Sequence, residues 1–388
     1  MNIIYTGLFA YPDSSANTLR VQGVVKLLKE LGHDIKILPG LISNYDQNLW
    51  TDESIEVVST KEYQTGIFSS VSGIRGLFVG DNTLNYLEKM SVKPDIIILY
   101  GTHLGYLTRL LNFTRKHNIK LILDVVEWYD PRHLPGGIFG PYAIMNELSM
   151  RFFVKKADGL IVISEYLRKY YEVSNKNIFL LPPLFPQSDN INFNKYKSKV
   201  LNLCYVGTPG KKENFEILNE ALELLYKDNI KFYMHYVGFD KNFIKNKKYS
   251  FINDKSVCKF HGRLENSESK LIVSNSHYTI FFRPNLRFSN AGFPSKVAES
   301  FSLGTSIISN DFSDLKKYIV NGENGYILKG EITSENIYKL IKKLAINVSS
   351  YNVIQNNALK TYCKYFDLKS YPNFKIFINE LSLSERIK

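Results

Sequence analysis

Lys296 and Glu299 stand at i and i+3 in FPSKVAESFSLGTSIISND, Phe293 to Asp311. Pro294 and Ser295 suit the start of a helix, one through its fixed φ and the other as a cap. Lys296 and Glu299 then share one face of the first turn. A cation beside the partly positive helix end can hold a diphosphate. A carboxylate there can accept both hydroxyl protons of a vicinal diol such as ribose. The alternative is a surface pair worth about 0.3–0.5 kcal/mol, with Glu299 complementing the dipole.

A second cluster is VGTPGKKEN, Val206 to Asn214. Gly207 and Gly210 leave the backbone open to close approach by an anion, and Lys211 and Lys212 add positive charge. A solvated Lys-Lys turn is the other reading. Fixed cations there can stabilise charge on a bound diphosphate, and one lost contact of that kind costs about 2.7–4 kcal/mol. With no DxD motif at an expected strand end, lysines are expected to do this work, with no metal and no cofactor.

The loop PDSSANTLR, Pro12 to Arg20, is a third candidate. Ser15, Ala16 and Asn17 precede a helix and expose N–H groups; capping by Ser14, Ser15 or Asn17 explains the same residues. Glu127, Asp130 and His103 follow expected strands and are acid–base candidates, although for His103 alone a structural role is the favoured reading. Arg263, Arg283 and Arg287 lie near strand ends, where each meets a base, a phosphate or a carboxylate of its own domain.

Short apolar runs alternating with amphipathic stretches must position these groups, which is the pattern of parallel α/β units. Strands are expected at 2–6, 34–38, 95–100, 120–123 and 159–163, and helices at 19–31, 104–117 and 142–155. The prolines of LPPLFPQSDNINFN, from Leu181, break the series and mark a domain junction. A second series has strands at 201–206, 230–237, 278–282 and 306–309 and helices at 214–227 and 295–303. After Gly325 the chain is expected to be mainly helical, with no further strong strand. The domains are expected at 1–185, 196–345 and 346–388, the last a helical segment packing back on the first. Ligands in open α/β sheets sit at strand C-termini, here in a cleft between the domains.

A chain of 388 residues with 44% hydrophobic residues supports two full cores without staples. Its three cysteines form no CxxC, which suits a reducing compartment and argues against a zinc site. No run of 18 apolar residues occurs, and no signal peptide is read. The expected location is the cytoplasm, with peripheral contact at the inner membrane face open. The net charge of +12 either keeps the chain soluble or attracts a nucleotide diphosphate, a lipid pyrophosphate or an acidic membrane. The lysines are dispersed and no nucleic-acid motif is present. Gly66–Gly80 is apolar, and FGPYAIMNELSMRFFVKK carries aromatics and ends in Arg151, Lys155 and Lys156. They read as core, the favoured reading, or as an interfacial surface meeting a lipid-linked acceptor.

FSNAGFPSKVAESFSLGTSIISN followed by YIVNGENGYIL resembles the donor-binding segment of family 4 glycosyltransferases. The stretches YPDSSANTLRVQGVVKLLKELGHDIKIL, LILDVVEWYD, KKADGLIVISEYL and YVGTPGKKENFEILNEAL resemble other landmarks of that family in the same order. The resemblance implies the GT-B fold, two Rossmann-like domains facing across a cleft. It also implies retaining transfer from a nucleotide-sugar donor to a glycan or lipid-linked acceptor, of the bacterial surface-polysaccharide type. Glu299 matches the second glutamate of an E-x7-E motif that binds the donor ribose, and Lys296 lies within reach of the diphosphate. Ala291 stands where the first glutamate would be; Asn290, or the backbone N–H groups of Gly292 and Phe293, are the substitutes. The family places a basic pair where Lys211 and Lys212 stand, although Thr208 replaces an arginine common there. Its loop at Ser15, Ala16 and Asn17 touches donor phosphate or acceptor. A catalytically silent subunit of the same fold is the alternative that Ala291 keeps open.

Overall fold

The structure, a computed structural model, describes residues 1–11, 15–41, 55–62, 79–186, 198–210, 212–244, 249–348 and 351–384. Pro12, Asp13, Ser14, Lys211 and most of the Gly66–Gly80 stretch lie outside the described residues. The chain divides into two compact units. The first comprises Met1–Leu184, Ala291–Phe293 and Tyr371–Lys388; the second comprises Phe185–Asn290 and Pro294–Ser370.

The first unit runs β1 (Asn2–Gly7), α1 (Ala16–Glu30), β2 (Asp34–Pro39), β3 (Glu56–Val57), α2 (Asp81–Lys89), β4 (Ile96–Tyr100) and α3 (Leu104–Lys116). It continues through β5 (Lys120–Val125), α4 (Pro141–Leu148), β6 (Gly159–Val162), α5 (Glu165–Tyr171) and β7 (Ile178–Leu180). The sheet is parallel, in the order β3-β2-β1-β4-β5-β6-β7. Ile96–Leu99 and Leu121–Leu123 are buried on both faces, as continuous apolar strands of a covered parallel sheet must be. The helix expected over 142–155 is not uniform: α4 gives way to a π turn at Ser149–Phe153 and a 3₁₀ turn at Val154–Lys156. The π turn is held by Ser149 Oγ donating to the Thr102 carbonyl and Tyr171 Oη donating to Met150 O at 2.7 Å.

The second unit runs β8 (Leu201–Val206), α6 (Phe215–Lys227), β9 (Phe232–Val237), β10 (Cys258–Phe260), α7 (Asn266–Asn275), β11 (Tyr278–Ile280), α8 (Arg287–Ala291) and α9 (Ser295–Ser302). Then come β12 (Ser306–Asn310), α10 (Leu315–Tyr318), β13 (Gly325–Leu328), α11 (Ser334–Ile346) and α12 (Tyr351–Tyr365). Its parallel sheet has the order β10-β9-β8-β11-β12-β13. The mainly helical stretch expected after Gly325 opens with a short strand, β13, whose four residues pair with β12 at the sheet edge. Gly304, at φ +64°, closes α9 and lets α12 approach, since a Cβ there would meet the Gln355 side chain at 3.2 Å.

The last helix, α13 (Phe374–Leu383), belongs to the first unit. Phe374 and Phe377 pack against Phe179, with ring centroids 4.9 and 5.5 Å apart. Leu381 lies over Gly159, where a Cβ would come within 2.8 Å of it.

Candidate functional site

In each sheet the strand order reverses once, at β1/β4 in the first unit and at β8/β11 in the second. The crevice beyond strand C-termini at such a reversal is where open α/β sheets bind ligands. Both reversals here carry polar clusters.

In the second unit the cluster centres on Glu213, in the loop between β8 and α6. Lys296 Nζ donates to Glu213 Oε1 at 2.9 Å and Arg283 Nη2 donates to the same oxygen at 3.3 Å. The Tyr205 hydroxyl donates to Oε2. Three elements meet here because Arg283 follows β11, Lys296 lies in the first turn of α9, and Asn214 N bonds the Phe282 carbonyl at 2.8 Å. Burial works against ionisation of Glu213, but Lys296 and Arg283 outweigh it and hold the carboxyl below its ordinary range. Burial moves Lys296 down from its ordinary value, with Glu213 opposing that shift. The Lys296 ammonium also lies 4.9 Å from the Tyr205 ring centroid and 4.7 Å from that of Phe281. Glu213 and Tyr205 were not singled out from the sequence. The only hint was an acidic residue beside two lysines in a strand-to-helix loop. Arg283 makes the domain-internal ion pair that was one of its two readings.

Glu299 is half-buried on α9, and burial raises its pKa against the nearby charges of Lys270 and Lys296. Its carboxylate accepts no hydrogen bond from a described residue, so it is open to a ligand's hydroxyls. Ser295 does not cap α9: Pro294 occupies the N-cap position, and no side chain bonds the free N–H groups there. Those N–H groups are thereby left without a side-chain competitor.

Gly207 ends β8 at φ +105° with open space where a Cβ would stand. Thr208 Oγ1 donates to the Gly238 carbonyl at 3.1 Å. Lys212 is half-buried in the turn before α6. Arg263 is exposed between β10 and α7. The Asn290 amide is engaged: Nδ2 donates to Asn285 Oδ1 and Oδ1 accepts from Ser313 N, both at 2.7 Å. Gly292 and Phe293 are buried and cluster with the first unit, whereas Asn290 ends a stretch of the second. The structure thus gathers Lys296, Arg283 and Glu213 and places Glu299 on the helix of Lys296, while Arg263 makes no contact with that cluster among the described residues.

In the first unit a cavity of about 200 Å³ opens at β1/β4, lined among others by Asn17, Tyr100, His103, Tyr129, Tyr142 and Asn146. Ser15 caps α1, accepting from Thr18 N at 3.4 Å, and Ala16 begins that helix. Tyr100 Oη donates to Asn17 Oδ1 at 2.9 Å. Two buried polar atoms at this cavity, His103 Nδ1 and Tyr142 Oη, have no partner among the described residues. Burial, reinforced by Arg109, pushes His103 down to about 4, so its ring is neutral at pH 7. Glu127 is half-buried and pairs with the Tyr129 hydroxyl. Asp130 turns to Arg132, which holds its carboxyl down at about 2.

Below the cavity, Asp124 grips Arg20 through two bonds, Nε to Oδ2 at 3.0 Å and Nη2 to Oδ1 at 2.9 Å. Tyr5 Oη donates to Asp124 Oδ2 at 2.6 Å, and Arg20 Nη1 reaches the Leu181 and Pro182 carbonyls at 2.8 Å each. This buried pair ties α1 to β5 and to the chain leaving β7. Among the described residues no group of three or more His, Cys, Asp and Glu side chains is arranged to hold a metal.

Comparison with known proteins follows the same division. Residues 187–361 match the family described as Glycosyl transferases group 1. The whole chain superposes on sucrose-phosphate synthase from Thermosynechococcus elongatus with a TM-score of 0.71 at 11% identity, covering 98% of each chain. Anabaena Alr3699/HepE, solved in complex with UDP and glucose, matches with a TM-score of 0.70 at 12% identity, over 99% of this chain and all of that one.

The fold is that of the GT-B glycosyltransferases.

A chain from Rickettsia africae ESF-5, described as a glycosyltransferase, matches at 15% identity with a TM-score of 0.69 over 99% of both chains. An uncharacterized glycosyltransferase, MJ1069 of Methanocaldococcus jannaschii, is 22% identical over 240 residues, which are 56% of this chain. The aligned region spans only 60% of that relative's length.

Proposed function

We propose that this GT-B protein transfers a sugar from a nucleotide-sugar donor to a glycan or lipid-linked acceptor. The observation that carries the reading is the paired cation of Lys296 and Arg283 at the β8/β11 reversal, inside the matched glycosyl transferase segment. A donor diphosphate meeting those cations and the N-terminus of α9 has its leaving charge stabilised by fixed groups, with no metal required. Glu299, open and half-buried, accepts the ribose hydroxyls. The solved relative in complex with UDP and glucose supports a uridine donor as the first to try.

The acceptor belongs at the cavity of the first unit, where His103 Nδ1 and Tyr142 Oη offer hydrogen bonds to a hydroxyl-rich ligand. Retention of configuration fits the residues. No described carboxylate stands out as a nucleophile for a double displacement, so the donor phosphate takes the acceptor's proton. Lys212 contributes charge to the leaving group and Glu127 borders the acceptor side through Tyr129. The setting is the cytoplasm, in surface-polysaccharide synthesis.

A catalytically silent subunit is the second reading. Ala291 and the partial neutralisation of Lys296 and Arg283 by Glu213 favour it. Incubation with UDP-, GDP- and dTDP-sugars separates the two: slow donor hydrolysis with thermal stabilisation supports the transferase. Stabilisation by none of them defeats both the donor site and the activity.

A further inference from the structure

The helical stretch from Pro141 to Lys156 presents three faces. Ala143, Met150 and Val154 are buried in the first unit, and Tyr142, Met145 and Asn146 line the cavity. The third face carries Ile144, Leu148 and Phe152 at four-residue spacing, exposed by 52%, 40% and 58%. Just before the helix, Ile138 and Phe139 are exposed by 57% and 91%. Isolated exposed apolar residues need no explanation, but a contiguous set of this size on one element does.

The charges beside this set are predominantly positive. Between Tyr129 and Lys156 the basic residues are Arg132, Arg151, Lys155 and Lys156, and the acidic ones are Asp130 and Glu147. Both acids are already paired: Asp130 with Arg132, and Glu147 with Arg151 and the Trp128 indole N–H. Lys155 and Lys156 lie over the rings of Tyr170 and Phe153, 5.4 and 4.7 Å from the centroids, and form no ion pair with a described residue. No helix among the described residues is long and apolar enough to cross a membrane. An apolar stripe edged by unneutralised lysines is the make-up of an element that lies in an anionic lipid surface.

We propose that this face docks on an anionic bilayer. Ile138, Phe139, Ile144, Leu148 and Phe152 enter the headgroup boundary, and Lys155 and Lys156 meet the lipid phosphates. Because α4 walls the cavity on another face, docking sets the cavity beside the membrane surface. If the transferase reading holds, the acceptor is then an amphiphile whose polar head reaches the cavity from the bilayer. That corollary rests on the proposed function; the docking itself does not.

Flotation of the full chain with vesicles, without any nucleotide sugar, separates the two. Binding is expected with equal parts phosphatidylglycerol and phosphatidylcholine, and not with phosphatidylcholine alone. The double variant Phe139→Ser/Phe152→Ser should lose binding while keeping the wild-type melting temperature. Lys155→Gln/Lys156→Gln should bind about thirtyfold more weakly, at about 1 kcal/mol per basic residue. If the serine variant is unstable, the glutamine variant alone decides. Absence of wild-type binding at low salt overturns the proposal. So does unaltered binding by the glutamine variant, or a self-association lost in the serine variant without any vesicle binding. Vesicle binding by a chain that hydrolyses no donor would leave docking standing and remove the transferase reading.

Discussion

Lys296 Nζ lies 2.9 Å from Glu213 Oε1, joining a lysine in the first turn of a helix to a carboxylate 83 positions earlier in the chain. With Arg283 on the same oxygen, a single negative charge stands between two cations, and their side chains are only 15% and 18% exposed. A diphosphate entering this place competes with Glu213 for both cations. Glu213→Gln is therefore expected to bind nucleoside diphosphate about tenfold more tightly. The same change is expected to cost about 3 kcal/mol of folding stability by leaving the cations unpaired. Calorimetric titration with UDP and urea denaturation read the two effects; unchanged affinity would remove the cations from the diphosphate site.

Glu299→Ala is expected to weaken nucleotide binding by about tenfold or more, since a hydrogen bond to a charged group contributes about 1.5–3 kcal/mol. Lys212→Ala is expected to slow turnover by about a hundredfold with little change in binding. Wild-type kcat and KM in both variants would discredit the assignment of this site.

His103 gives a pH signature. Its folded pKa of about 4 lies below the ordinary 6.5, so the unfolded chain takes up the proton first as pH falls. This residue's contribution is present above pH 6.5 and is lost as pH drops toward 4. The stability of wild type relative to His103→Gln should thus rise by roughly 2 kcal/mol between pH 4 and pH 7, allowing for partial exposure. A difference that stays flat across this window would mean that His103 is solvated and not a neutral group of the cavity.

The buried pair of Arg20 and Asp124 is a structural prediction. Asp124→Asn leaves the guanidinium without a counter-charge in the core and is expected to cost about 3–5 kcal/mol. Urea denaturation measures it, and a loss below about 1 kcal/mol would show that the pair does not anchor α1.

Most of the first-unit strands, and β8, β9, β11 and β12, were legible in the sequence because a covered parallel sheet demands largely apolar runs. The edges were not. Glu56–Val57, Ile178–Leu180 and Gly325–Leu328 are too short to carry a period, and only pairing with a neighbour makes them strands. The stretch 142–155 has helical spacing, but its π turn depends on Thr102 and Tyr171, which no local pattern reveals. At the candidate site Lys296 and Glu299 could be read from i, i+3 spacing within one helix. Glu213 could not, because what gives it meaning is contact with residues 70 and 83 positions away. Arg20 and Asp124, 104 positions apart, were hidden for the same reason.

The central claim is that Lys296 and Arg283 hold the diphosphate of a nucleotide donor. Calorimetric titration of UDP, GDP and dTDP into wild type and Lys296→Met tests it directly. The account predicts that one of the three binds the wild type and binds the variant about a hundredfold more weakly, a loss of about 2.7 kcal/mol. Equal affinity in the two proteins would contradict it.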